Sequence, residues 1–277
     1  MLKNNLIKFL TLFYNLINKM KKNNYKIFNS VQNLKLSTSQ LFNQSTFIDK
    51  FADSSKKYPK EWTKTYYKGY PRFSAFKLKE PSKLNISLDE ALINRLSTRN
   101  YSKKPINFQD LSNILYYSAG ENKKRTSKEI NYRFYPSGGA RYPLEIYPII
   151  RKKSEIDEGI YHYYVRNNLL EKFPNKGLSD KFLKEAFAQP TLLEASVLLV
   201  VSAIFLRTQI KYNERGYRLV LMELGNLCQN IYLTCSALNI GCCEINGFND
   251  NLFNDLLGID GLRESTMIVM ALGHKNI

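Results

Sequence analysis

The chain has 277 residues, 44% hydrophobic and 13% aromatic, with 41 Lys/Arg against 24 Asp/Glu for a formal charge of +17. That composition excludes a disordered protein and supplies core material for one large domain or two small ones. The charge is uneven: residues 1–80 carry sixteen Lys/Arg against four Asp/Glu, leaving only +5 on the remainder.

A basic N-terminal third attracts polyanions through long-range steering and counterion release. Lys and Asn crowd the whole chain, however, as in Lys3-Asn4-Asn5, Lys21-Lys22-Asn23-Asn24 and Lys56-Lys57. With no nucleic-acid motif beside the charge, the excess reads as compositional bias, and no nucleic-acid partner is expected. An acidic peptide or partner is the remaining use for it.

The apolar stretch Phe9 to Ile17 follows Lys3 and Lys8 but has no small-residue cleavage site after it and is too short to span a bilayer. An amphipathic helix is expected there and no membrane span. Residues 1–80 read as a lead-in that wraps over the domain, and 81–277 as the domain itself. Within the lead-in lie Trp62 and the run Tyr66-Tyr67-Lys68-Gly69-Tyr70-Pro71-Arg72.

Ser87-Leu88-Asp89-Glu90 is a capping box that opens a helix to about Leu96. A second helix is expected from Asn107 to Ala119, with Gly120 as its stop. Strand-like runs follow at 144–150, 159–165 and 196–205, with a helix near 179–188 before the last. A long helix spans about 216–238, then a shorter one 249–257 and a final strand 266–272. Helices and strands alternate without a Rossmann fingerprint or P-loop, which predicts an α+β layer fold.

The long helix carries Leu221, Leu224, Cys228, Ile231, Cys235 and Leu238 at alternating steps of three and four, the mark of a buried stripe. Cys228 and Cys235 are thus expected to be core thiols, in keeping with a reducing cytoplasm. With Cys242 and Cys243 they form no C-x-x-C pair, and the chain has only two histidines, His162 and His274, so no metal site is expected.

Four short elements carry the chemistry. Arg95, Ser97 and Arg99 alternate, so an extended backbone would set all three on one face, where guanidinium forks and a hydroxyl suit a phosphate monoester. The alternative is two arginines answering a helix C-terminal dipole. In Pro136-Ser137-Gly138-Gly139-Ala140, paired glycines permit positive φ and let a flat ring lie against the backbone, unless the segment is only a turn. Lys211-Tyr212 sits in a stretch rich in ionisable groups between a buried strand and a buried helix. A lysine of lowered pKa, or a tyrosine beside a cation, acts as a base near neutral pH. A solvated loop with an i,i+4 pair of Glu214 and Arg218 is the other reading. Ala271-Leu272-Gly273 closes the series.

Taken with G-I-Y-H-Y at 159–163 and P-L-E-I-Y at 143–147, these elements resemble the nitroreductase-like flavoenzymes. Within them the chain is most similar to the SagB-type azoline dehydrogenases, which make thiazoles and oxazoles in ribosomal peptides. The resemblance covers about residues 87–277, and Lys68-Gly69-Tyr70-Pro71 resembles the family's lead-in. It implies an α+β nitroreductase-like fold, with a mixed central sheet flanked by helices, in an interlocked homodimer that binds FMN between subunits.

By matching position, Arg95, Ser97 and Arg99 would hold the FMN phosphate and ribityl chain, and Pro136, Ser137, Gly138, Gly139 and Ala140 would back the isoalloxazine. Asn246-Gly247 would lie near its edge, Gly273 would close the site, and Lys275 would add a cation near the phosphate. Lys211 and Tyr212 would be catalytic, assisting proton removal, and Gly225 would let the long helix approach its copy. The resemblance also implies a precursor-peptide substrate and a cyclodehydratase partner. An NAD(P)H-dependent reductase of nitro, quinone or dehydroamino-acid substrates, and a non-catalytic assembly subunit, are the alternatives.

Overall fold

The computed structural model describes residues 37–48, 59, 62, 64–126, 130–174, 178–188 and 194–276. The apolar run at 9–17 lies outside the described residues. The chain divides into two compact units, Met1–Ser45 and Thr46–Ile277. In the first, α1 (Thr38–Ser45) begins at a capping box in which Ser37 Oγ accepts from the Gln40 amide and Gln40 Oε1 from the Ser37 amide.

The second unit is built on a seven-stranded sheet. Its strands are β1 (Ser74–Lys77), β4 (Leu144–Ile150), β5 (Gly159–Tyr164), β6 (Leu169–Lys172), β7 (Val197–Ile204), β8 (Ile240–Ile245) and β9 (Glu264–His274), in the order β1-β6-β5-β4-β7-β9-β8. Every ladder in it is antiparallel. Among the described residues the parallel component is a single bridge, Ser97 to Cys242. A separate hairpin pairs β2 (Glu121–Thr126) with β3 (Asn131–Arg133).

Helices cover both sides of the sheet, because its central strands are apolar on both faces. On one face Leu144, Ile146, Leu199 and Val201 pack with Leu111, Ile114 and Leu115 of α3 (Phe108–Ala119) and with Leu227, Cys228, Ile231 and Cys235 of the long helix. On the other, Tyr147, Ile149, Leu198 and Val200 meet Leu183 of α4 (Asp180–Ala186) and Phe253 and Leu257 of α7 (Asp250–Leu257). Between these layers Leu144, Leu198, Leu199, Val200 and Val201 are inaccessible to solvent, and truncating any one of the three leucines to alanine would cost about 2–5 kcal/mol.

The helix starts follow their caps. Ser87 and Glu90 form the expected box at α2, which spans Leu88–Asn94 and so stops two residues before Leu96. Asn107 caps α3 through the Asp110 amide. The long helix, α6, runs Arg215–Ala237, and its buried stripe holds Leu224, Cys228, Ile231 and Cys235. Leu221 departs from the expected stripe: it is 43% exposed, and Val220 and Glu223 take the inward positions of that turn. All four cysteines are free, buried thiols.

Lys211-Tyr212 is not in a loop. The segment folds as a short helix, α5 (Leu206–Tyr212), which breaks at Asn213, where φ is positive, before α6 begins. Among the described residues no helix is long and apolar enough to cross a membrane, and no group of three or more His, Cys, Asp or Glu could hold a metal ion.

Candidate functional site

The four sequence elements gather into two clusters, both lying against α6. At the first, α2 ends and Arg95 turns extended. Ser97 then pairs with Cys242 at the start of β8, and the Thr98 amide donates to the Cys242 carbonyl at 2.8 Å. Arg95 stands over the Tyr232 ring of α6, 5.5 Å from its centre, and Ser97 Oγ lies 3.2 Å from Tyr232 Oη. Arg99 lies close enough to Cys243 for its charge to act on that thiol.

The end of β9 completes this cluster. Tyr101 bridges to Lys275 and donates through Oη to the Ala271 carbonyl at 3.0 Å. A Cβ on Gly273 would come within 2.9 Å of the Tyr101 ring, so only glycine allows that approach. Lys275 Nζ donates to Asn239 Oδ1 at 3.1 Å. Arg95, Ser97, Arg99, Gly273 and Lys275 therefore share one end of the sheet, with Ser97 and Arg99 exposed.

The second cluster is the glycine turn and α5. Gly138–Ala140 forms a single 3-10 turn in which Gly139 is left-handed, at φ 64°, and Ala140 and Tyr142 also have positive φ. Two non-glycine residues held there store backbone strain, and such strain concentrates at functional sites. Where Gly139 lacks a side chain, Tyr212 Oη and Lys211 Nζ stand 2.7 and 3.1 Å from the place a Cβ would take. Lys211 Nζ in turn lies 5.3 Å from the centre of the Tyr212 ring. The turn and the Lys-Tyr pair, 71 residues apart in the chain at their nearest, converge on one point.

Two residues of this cluster escaped the sequence reading. Arg141, buried, donates through Nε to the Gly139 carbonyl at 2.9 Å. Burial pulls its guanidinium below the ordinary range, with Tyr212 and Tyr66 acting the other way. Glu223 is 2% exposed on α6, and neither carboxylate oxygen makes a hydrogen bond of good geometry. Burial pushes it up to about 8, against the opposing pull of Ser137, Arg133 and the Gly138 amide. Its signal in the sequence was a charged residue on the apolar stripe, next to Leu224.

The clusters stay apart within one chain. Leu219 of α6 touches the glycine turn at Gly138, whereas Tyr232 touches Ser97. The thirteen residue steps from one to the other amount to about 20 Å along the helix. Asn246-Gly247 belongs to neither cluster: both residues are exposed just beyond β8, where the Gly247 carbonyl accepts from the Ala188 amide at 3.1 Å.

The donor chemistry fits a flavin mononucleotide. Guanidinium and hydroxyl groups on an exposed, extended segment suit a phosphate, and the glycine turn presents backbone beside the polar tips of Lys211 and Tyr212, which suits the polar edge of a flat ring.

A model of the nitroreductase family matches residues 92–274. A protein of Methanocaldococcus jannaschii named as a nitroreductase, MJ1384, is 32% identical over 190 residues, covering 69% of this chain and 92% of its own. The microcin B17-processing protein McbC of Escherichia coli is 28% identical over 151 residues, or 52% of this chain. That match spans 55% of McbC itself. A chain in the structure of the E. coli microcin synthetase McbBCD complex, with truncated pro-MccB17 bound, superposes with a TM-score of 0.58 at 22% identity. This likeness in fold extends over 90% of this chain and 86% of that one. The matched segment runs from α2 to β9 and contains both clusters apart from Lys275, and the chain belongs to the nitroreductase family.

Proposed function

We propose that the protein is an FMN-dependent dehydrogenase that oxidises thiazoline or oxazoline rings to thiazoles or oxazoles in a ribosomally made precursor peptide. The observation that carries this reading is the convergence of Lys211 Nζ and Tyr212 Oη on the backbone at Gly139. A simple reductase needs no dedicated base there. Aromatising an azoline removes a proton from Cα and the equivalent of a hydride from the ring.

FMN, when bound, supplies the acceptor for that electron pair. The chain's own residues do the rest. Lys211 and Tyr212 take the Cα proton and hold it, and the glycine turn sets the plane against which the ring system lies. Arg95, Ser97 and Arg99 hold the phosphate, with Lys275 adding charge beside Gly273. Asn246 and Gly247, matched to the flavin edge by position, sit with neither cluster.

The working form in this reading is a homodimer. Leu92, Ile93 and Leu96 at α2, and Leu221 and Met222 on α6, are exposed apolar side chains, and Gly225 is open on the same helix. The arginine cluster of one copy and the glycine turn of the other would then form each site. Co-expressing an Arg99→Ala copy with a Lys211→Ala copy tests this, since a mixed dimer regains one intact site and part of the activity. Activity equal to that of either parent would contradict shared sites.

The likeness to McbC, a microcin-processing protein, supports a peptide substrate and a cyclodehydratase partner that makes the ring first. Incubation with an azoline-bearing peptide under air should remove two hydrogen atoms per ring. Bound FMN with NAD(P)H consumption and no ring oxidation would instead favour a reductase, and a colourless protein that cannot be reconstituted would favour an assembly subunit.

A further inference from the structure

Four residues without a role in the proposed chemistry, two of them from the motifs at 143–147 and 159–163, form one buried row. The Tyr70 amide donates to Glu171 Oε1 at 2.9 Å. Glu171 Oε2 lies 2.8 Å from His162 Nδ1, and His162 Nε2 lies 3.0 Å from Glu145 Oε2. Glu145 Oε1 then accepts from the Arg207 guanidinium at 2.5 Å. The side chains of Arg207, Glu145, His162 and Glu171 are 9, 3, 0 and 7% exposed.

Both ring nitrogens of His162 face carboxylate oxygens, and an ionised carboxylate only accepts. With both carboxylates ionised the ring is an imidazolium, and two cations lie beside two anions along the row. Burial acts against the charged imidazole, but hydrogen bonds to Glu145 and Glu171 raise it above its ordinary range. Burial likewise acts against the Glu145 carboxylate, which Arg207 and His162 nevertheless hold down at about 2. The rings of Tyr147 and Tyr70 complete the surroundings of His162, 5.1 and 5.2 Å away between centres.

What the row holds is the Lys-Tyr helix. Arg207 is in the first turn of α5, one turn before Lys211 on the same face. The same guanidinium nitrogen donates to the Tyr142 carbonyl at 3.0 Å, two residues beyond the glycine turn. One side chain thus ties α5 both to the sheet and to the backbone that carries Gly139.

We infer that Arg207, anchored by the Glu145–His162–Glu171 row, is a positioning residue that fixes the Lys211–Tyr212 helix against the glycine turn and links it to the lead-in segment at Tyr70. None of the four touches the reacting atoms. The inference rests on the dehydrogenase reading only for its kinetic consequence, because the placement of α5 is independent of the reaction.

The test uses the full chain with its cofactor and two variants, Glu145→Gln and Arg207→Lys. The second keeps the charge but loses the planar fork, and it serves where removing one partner of a buried pair prevents folding. Amide hydrogen exchange across Leu206–Tyr212 should accelerate about tenfold or more in the variants, with exchange in α7 unchanged. With an azoline peptide, kcat should fall about tenfold at constant KM, and Lys211→Ala should cost far less in the variant than in the parent, since coupled groups are not additive. Unchanged exchange across α5 in a folded variant would overturn the inference, whatever the reaction. Accelerated exchange in a protein that leaves azolines intact would keep the inference and remove the dehydrogenase reading.

Discussion

The two clusters along α6 are built by different means. The arginine cluster hangs on backbone pairing, Ser97 with Cys242 and Tyr101 with Lys275, and leaves Ser97 and Arg99 exposed. The glycine-turn cluster is fixed from beneath by buried groups: Arg141 on the Gly139 carbonyl, Glu223 under the turn and Arg207 clamped to Glu145. A phosphate tolerates long, flexible side chains, because charge acts over distance. Proton removal from carbon does not, because a misplacement of about 1 Å can cost a factor of 100. The rigid cluster is therefore the one assigned to chemistry, and the exposed one to holding the cofactor.

The largest test of that contrast is a side chain at Gly139. A Cβ would crowd Tyr212 Oη and Lys211 Nζ at a position that also requires positive φ. Gly139→Val should reduce dehydrogenation about 100-fold, a displacement effect of the kind that moving a catalytic group produces, while the fold survives. Near-parental activity would mean that the convergence at Gly139 has no part in the reaction.

Glu223 gives the next largest effect, on stability. Its folded value of about 8 lies above the ordinary 4.5, so the folded state keeps a proton that the unfolded chain releases between those values. Stability is thus fully present below about pH 4.5 and falls as pH rises toward 8. Glu223→Gln should flatten this part of the denaturation profile and stabilise the protein above pH 8 by about 1–3 kcal/mol. An unchanged pH slope would contradict a protonated Glu223.

The arginine cluster should respond more mildly. Arg99→Ala is expected to weaken FMN binding about tenfold, the effect of one exposed charge-assisted contact, with the melting temperature of the cofactor-free protein unchanged. Titration followed by flavin absorbance or fluorescence measures it. Loss of folding in this variant would show that Arg99 supports the sheet end rather than a ligand.

Much of the frame was legible in the sequence. Capping residues at Ser87 and Asn107 set helix starts, and apolar runs at 144–150 and 196–205 marked the central strands, because each signal is local. The missed strands are β1, β6 and β8 of the main sheet and the hairpin β2 and β3, and all carry weak signals. β1 is four exposed residues recognisable only by pairing with β6, and β8 follows the long helix with only Leu238 and Asn239 between them. Leu221 fitted the stripe by spacing but turned outward, because a small phase error over six helical turns moves the end of a stripe off the core.

The site was legible as motifs but not as geometry. Nothing local in Arg207, Glu145, His162 or Glu171 shows that four separate elements would bring them into one row. Nor does spacing reveal that Lys211 and Tyr212 meet Gly139 through a short helix. Those relations depend on the sheet order, which sets β5 between β4 and β6.

The most direct test of the account begins with the purified full chain. Its visible spectrum and the mass of any released cofactor are recorded, and the protein is then given an azoline-bearing peptide under air, beside Lys211→Ala. Bound FMN is expected in both proteins, with loss of two hydrogen atoms per ring in the parent and a rate at least 100-fold lower in Lys211→Ala, as for removal of a general base. Equal rates in the two proteins, or rings left intact by an FMN-loaded parent, would contradict it.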